Sequence, residues 1–199
     1  MIGVIKGLVS ESEKVKGALK KIEFQVAALP ISREELKALK NLTGEDELTM
    51  STPEIAYAKN LQKYGKVKIP PPSYLILLDH CTKREIQIEG IDMDEEHYTS
   101  AYCKYVSGLE LMRQSMWEKR LLKKKINHHS PIEFALEWDK LINKYKGFRK
   151  LEKHREKVMS KNIKRLSRKS NVFSIIELER LEGVLEILKD LDWDETKLS

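Results

Sequence analysis

Apolar residues in this chain keep returning at steps of three and four, the spacing that aligns side chains along one face of a helix. Over residues 1–29 Ile5, Leu8, Ser12, Val15, Leu19, Ile22, Val26 and Leu29 alternate in this way, with Ser12 the one polar member. That is an a/d seam of three to four heptads, which predicts a helix for a coiled coil or an intramolecular bundle. Pro30 ends it, because proline cannot continue the hydrogen-bond ladder. A second stripe runs through Tyr98, Tyr102, Tyr105, Leu109, Met112 and Met116, and a third through Phe134, Trp138, Leu141, Tyr145 and Phe148. These two predict an antiparallel helical hairpin zipped along its stripes, with its tip near His128 and His129.

Capping residues mark further helix starts. Ser32 and Glu35 have the spacing of a capping box ahead of Leu36, Leu39 and Leu42. Ser51 or Thr52 caps a helix that carries Pro53 in its first turn, where the missing N–H costs nothing. The acidic run at 92–96 and the pair Ser130–Pro131 open two more, and a last amphipathic helix is expected from Phe173 to Leu191. Residues 66–93 break the rhythm. "KVKI" and "EIQIE" alternate like strands, "PPP" is stiff, and "YLILL" reads either as a strand or as a buried helix over 74–81 behind Ser73.

The expected fold is therefore mainly α: a helical bundle with a long antiparallel hairpin and a small β or irregular insert near 66–93. Four regions follow: an N-terminal helical region (1–65), the mixed segment (66–93), a basic helical hairpin (94–170), and an acidic C-terminal helix and tail (171–199). Hydrophobic residues make up 41% and charged residues 34%, with nine Gly and six Pro, which points to a folded, helix-rich chain. There is no apolar run near the ~20 residues that span a bilayer, so no membrane partner is expected. The N-terminus makes a poor signal peptide, and two cysteines make no disulfide framework. Reduced thiols in an intracellular protein, of cytoplasm or nucleus, is the matching expectation.

Charge is unevenly spread. The net charge is +6, yet residues 113–169 hold nineteen basic and six acidic side chains. Within 144–170 there are twelve Lys or Arg against two acids. Lys146, Arg149, Lys150, Lys153, Lys157, Lys161, Lys164, Arg165 and Arg168 recur at mostly helical spacing. Like charges so placed repel one another, a standing cost that a polyanion relieves. These nine are the candidate contacts to the phosphate backbone of DNA or RNA. Without a glycine-rich phosphate loop, zinc-finger spacing or RNA-recognition signature, the contacts would carry little sequence readout. The expectation is a non-enzymatic accessory protein of a DNA- or RNA-handling assembly, with no catalytic residues, metal or cofactor.

Three other readings stand beside it. Glu177, Glu179, Glu182 and Glu186 are placed to fold back along the lysines and neutralise them. The stripes suit a structural or adaptor subunit that forms a homo-oligomer or joins a larger protein assembly. A metal-dependent nuclease would need Asp79, Glu85, Glu89, Asp92 and Asp94, with Lys83, to converge on a pair of cations. His80, Cys81, His97 and Cys103 have irregular spacing for a metal site.

Overall fold

The computed structural model describes residues 1–42 and 50–190. Its elements are β1 (Ile2–Val4), α1 (Glu11–Leu19), β2 (Val26–Leu29), α2 (Arg33–Lys40), α3 (Thr52–Leu61), α4 (Pro72–Lys83), β3 (Gln87–Gly90), α5 (Glu95–Tyr105), α6 (Gly108–Leu121), α7 (Pro131–Ile142), α8 (Lys146–Ser167), β4 (Val172–Glu177) and α9 (Leu178–Asp190). The four strands form one parallel sheet in the order β1-β4-β2-β3. Ile2 pairs with Ile175, Val26 with both Val172 and Gln87, and Leu29 with Gly90.

This replaces the expected helical bundle with a layered α/β architecture. One face of the sheet (Val4, Ala27, Leu29, Phe173, Ile175) packs on Val15 and Leu19 of α1, Leu36 of α2, and Tyr74, Leu77 and Cys81 of α4. The other face (Val26, Ala28, Ile176) packs on Met159, Ile163 and Leu166 of α8 and on Val184 and Leu188 of α9. A sheet covered on both sides loses the polar/apolar alternation that identifies strands, and its segments read as plain apolar runs. That is why "VAAL" and residues 173–177, the strand β4 after its first residue, passed for parts of helices. The supposed seam from Ile5 to Leu29 is a strand, a helix and a second strand. Gly7, at φ +85°, turns the chain out of β1 where a side chain would be strained.

Three of the four expected regions supply strands to this one sheet, since β1 and β2 lie in 1–65, β3 in 66–93 and β4 in 171–199, while 94–170 supplies helices that pack on it. Of the two options for "YLILL", the helix holds: α4 buries Tyr74, Leu77 and Cys81. The expected hairpin is replaced too. Its first stripe breaks at Val106 and Ser107, where Ser107 accepts from Glu110 N and caps α6. α5 lies on α8, and α3, α6 and α7 form a separate apolar cluster around Phe134, Trp138, Leu121 and Leu61. Leu109, Met112 and Met116 stay more than half exposed.

The local expectations match. Ser32 accepts from Glu35 N at 3.0 Å while Ser32 N donates to the Glu35 carboxylate at 2.7 Å. Ser51 N donates to Glu54 at 2.9 Å, and Ser130 and Asp94 cap α7 and α5. The acidic tail beyond Asp190 and the loop over 43–49 lie outside the described residues. Among the described residues, no helix is long and apolar enough to cross a membrane.

Candidate nucleic-acid interface

α8 sorts its charges by face. Toward the sheet it buries Leu151, Glu156, Met159, Ile163 and Leu166. Toward solvent it exposes Lys146, Arg149, Lys150, Lys153, Lys157, Lys161 and Arg165, with Arg168 exposed just past its end and Lys164 half-buried. All nine candidate contacts therefore lie on one helix or its C-cap. None of them forms an ion pair among the described residues, and Arg149 bonds only to backbone carbonyls of the preceding loop.

The acids and the one arginine that leave this pattern turn inward. Arg155 Nε donates to Asp92 Oδ2 at 3.0 Å, and its Nη1 to Glu152 Oε2 at 2.9 Å. Arg180 of α9 donates from Nη1 to Glu156 Oε1 at 3.0 Å, approaches Glu152 Oε2 at 3.6 Å through Nε, and pairs with Asp139 of α7. Glu152 thus joins two guanidinium groups, and the chain of charges links β3's end, α8, α9 and α7. Burial opposes the charge on Arg155, but Glu152, Asp92 and Glu177 outweigh it and hold the guanidinium well above its ordinary value. Gly183 leaves the space that Glu156 fills, since a Cβ there would collide with that carboxylate.

The stretch "EKHREK", residues 152–157, has no apolar side chain to bury, yet it buries two glutamates. Phe148, Glu152, Glu156, Met159, Ile163 and Leu166 step by 4, 4, 3, 4 and 3. The two glutamates continue the seam as charged members. The signal was present, but only the guanidinium groups of Arg155 and of Arg180, the latter brought from another helix, make their burial tolerable.

The parallel strands end on one common edge. Lys6, just past β1, stands 3.5 Å from Glu177, the last residue of β4. Glu177 raises the Lys6 pKa against the effect of burial. Tyr74 OH donates to the same carboxylate at 3.5 Å. Beside them burial and Glu177 push the Glu179 carboxyl up to about 8, and its Oε2 is buried with no hydrogen-bond partner among the described residues.

Self-neutralisation by α9 is not what its described glutamates do. Glu177 faces Lys6, and α9 meets α8 through apolar contacts and Arg180. The nuclease carboxylates do not converge either. Asp79 pairs with Lys83 at 2.7 Å, Gln87 donates to Glu89, Glu85 sits in a turn at φ +54°, Asp92 is held by Arg155, and Asp94 caps α5. Among the described residues, no three His, Cys, Asp or Glu side chains are grouped to hold a metal ion. Cys81 is buried, Cys103 is exposed, and both are free.

Comparison with protein-family models, with curated proteins and with solved structures returned no match to this chain.

Proposed function

We propose that this chain binds nucleic acid through phosphate contacts along the solvent face of α8, as an accessory protein of a DNA- or RNA-handling assembly. One observation carries the reading: the helix turns both of its acids inward onto arginines and leaves its outer cations unopposed among the described residues. A merely solvated helix mixes signs on its outer face, where Glu–Lys pairs three or four apart stabilise it. At ~1.5 Å per residue the helix is about 33 Å long, enough to meet several phosphates of a duplex. Six contacts would make log affinity fall against log salt with a slope of about −5.

The test is a gel-shift titration of single- and double-stranded DNA and RNA at two salt concentrations. Replacing Lys150, Lys153, Lys157 and Lys161 with Glu should lower affinity by about a hundredfold or more at low salt. The circular-dichroism spectrum should not change, because all four side chains are exposed. Retained binding would sink the proposal.

A second reading, a protein-binding adaptor, has its own support in α6. Leu109, Met112 and Met116 form a stripe that is 51–57% exposed, with Ile132 and Leu136 of α7 also exposed. Contiguous apolar surface of this kind marks interaction sites. Light scattering of the purified protein that showed a stable dimer, abolished by Met112→Glu and Met116→Glu, would favour this reading.

A further inference from the structure

Beyond the sheet's edge at β3 lies a cleft of about 440 Å³, lined by the end of β3, α2, α5 and α8. Ligands of open parallel sheets sit outside the carboxyl ends of the strands, and single small-molecule sites span roughly 300–1,000 Å³. The size fits, and the cleft lies past the carboxyl end of β3, the edge strand, rather than in a crevice between strands.

The chemistry of the walls narrows the ligand. Arg33 at the start of α2 and Lys104 near the end of α5 reach the cleft, and neither forms an ion pair among the described residues. The two acids in the walls are already committed. Asp92 pairs with Arg155, while Asp94 accepts from His97 N at 2.8 Å and lies 2.7 Å from His97 Nδ1. Asp94 stays ionised, its pKa lowered by the His97 bonds and by Arg33, so Arg33 and Lys104 together outnumber it and the balance of charge in the cleft is positive. Tyr105 and His154 form one wall as a ring pair with centroids 5.5 Å apart, and Met93, Ala101 and Val158 make part of the lining apolar. Asn162 fixes its amide by donating to Ile91 O at 2.9 Å, which leaves its Oδ1 and second N–H for a polar edge. Cations, an aromatic wall and an oriented amide make up the set that holds a nucleotide: phosphate, base face and base edge.

The cleft also adjoins the cation strip. His154, Val158 and Asn162, four residues apart on α8, line it, while Lys157 and Lys161 precede two of them on the neighbouring face. Lys104, Lys157 and Lys161 all act to lower the His154 pKa, after burial, so the three ammonium groups share one electrostatic neighbourhood.

We infer that this cleft takes one nucleotide, its phosphate against Arg33 and Lys104 and its base against the Tyr105–His154 wall. The inference rests on the proposed function and names what α8 presents to it: an unpaired nucleotide, from a strand end or loop or free in solution. A base-paired duplex cannot offer that group without unpairing and unstacking it. Single strands are therefore held more tightly than duplexes.

The test measures calorimetric binding of AMP, CMP, GMP, UMP and inorganic phosphate, together with fluorescence anisotropy of a single strand and of a duplex of equal length. The protein is wild type, Arg33→Ala with Asn162→Ala, or Ser100→Trp, which fills the cleft from its exposed rim without touching the Asn162 bond. Wild type should bind the single strand about tenfold tighter than the duplex, a ratio that both cleft variants bring to about one while duplex affinity and its salt slope stay unchanged. Mononucleotides that bind one per chain, at least tenfold tighter than inorganic phosphate, identify a free nucleotide as a ligand. A strand preference without mononucleotide binding identifies the end or loop of a polynucleotide. Inorganic phosphate binding as well as the mononucleotides overturns the inference, as does a single-strand preference that survives in both variants, or equal single-strand and duplex affinity with no mononucleotide bound. In these cases α8 binding stands. Loss of the underlying reading looks different, since the α8 charge reversals would then leave duplex affinity where it was.

Discussion

Two helical layers flank the same sheet, and they handle charge in opposite ways. On one side α1 and α4 pack apolar side chains inward, and their outer cations are matched locally: Lys14 with Glu11, Lys16 with Glu13, and Lys83 with Asp79. On the other side α8 carries its acids inside, fastened by Arg155 and Arg180, and its cations outside with no such partners among the described residues. Both layers cover the sheet. In the first layer α2 also leaves Arg33, Lys37 and Lys40 without ion pairs among the described residues, but beside Glu34 and Glu35 of the same helix. Only α8 leaves a continuous one-sign stripe, so burial of the sheet does not by itself demand it. The inner ion network makes it possible by removing from the outer face the carboxylates that would neutralise it.

The largest stability effect that separates the layers comes from breaking the network. Arg155→Ala leaves Asp92 buried without its counter-charge and Glu152 with Arg180 alone, and should cost about 3–5 kcal/mol in urea unfolding. Replacing Asp92, Glu152 and Arg155 together by apolar residues of similar volume should restore most of that loss. In the apolar layer Leu77→Ala opens a cavity beneath the sheet and should cost about 2–5 kcal/mol. No companion change at a charged residue should rescue it. If Arg155→Ala were as mild as a surface change, the contrast between the layers would fail.

Next in size is a dependence on pH. Glu179 holds its proton to about pH 8 in the folded chain, but near 4.5 when unfolded. The folded state thus binds the extra proton between those values, and by linkage this group's contribution to stability falls as pH rises through that window and levels off above it. Glu179→Gln should flatten the decline and leave the variant more stable than wild type at pH 8–9, as read by thermal unfolding across pH. A variant with the unaltered slope would show that Glu179 ionises freely.

The smallest effect is the one that sharpens the comparison most. Lys16→Glu with Lys83→Glu on α1 and α4 changes net charge by four, as two of the four α8 reversals would. It should leave nucleic-acid affinity within about twofold at 0.15 M salt, because charges beyond the ~8 Å Debye length are screened. A loss comparable to that of α8 variants would mean that net charge, rather than one face, governs binding.

What the sequence determined alone are the features settled within one helical turn. Ser32 with Glu35, Ser51 with Glu54, and Ser130 ahead of Pro131 satisfy helix ends with groups three residues away, so the helix starts were legible from type and spacing. The cation stripe of α8 was legible for the same reason, since helical spacing alone puts Lys150, Lys153, Lys157 and Lys161 together. Tertiary structure decided the rest. Strand β1 finds its hydrogen bonds at Ile175 and its neighbours, far along the chain, and β2 lies between β4 and β3. Nothing within four residues of "IGV" or "VAAL" announces those partners. Glu152 and Glu156 likewise resemble solvent residues until Arg155 and Arg180 meet them, because only a partner's charge in the same buried space offsets the cost of taking a carboxylate out of water.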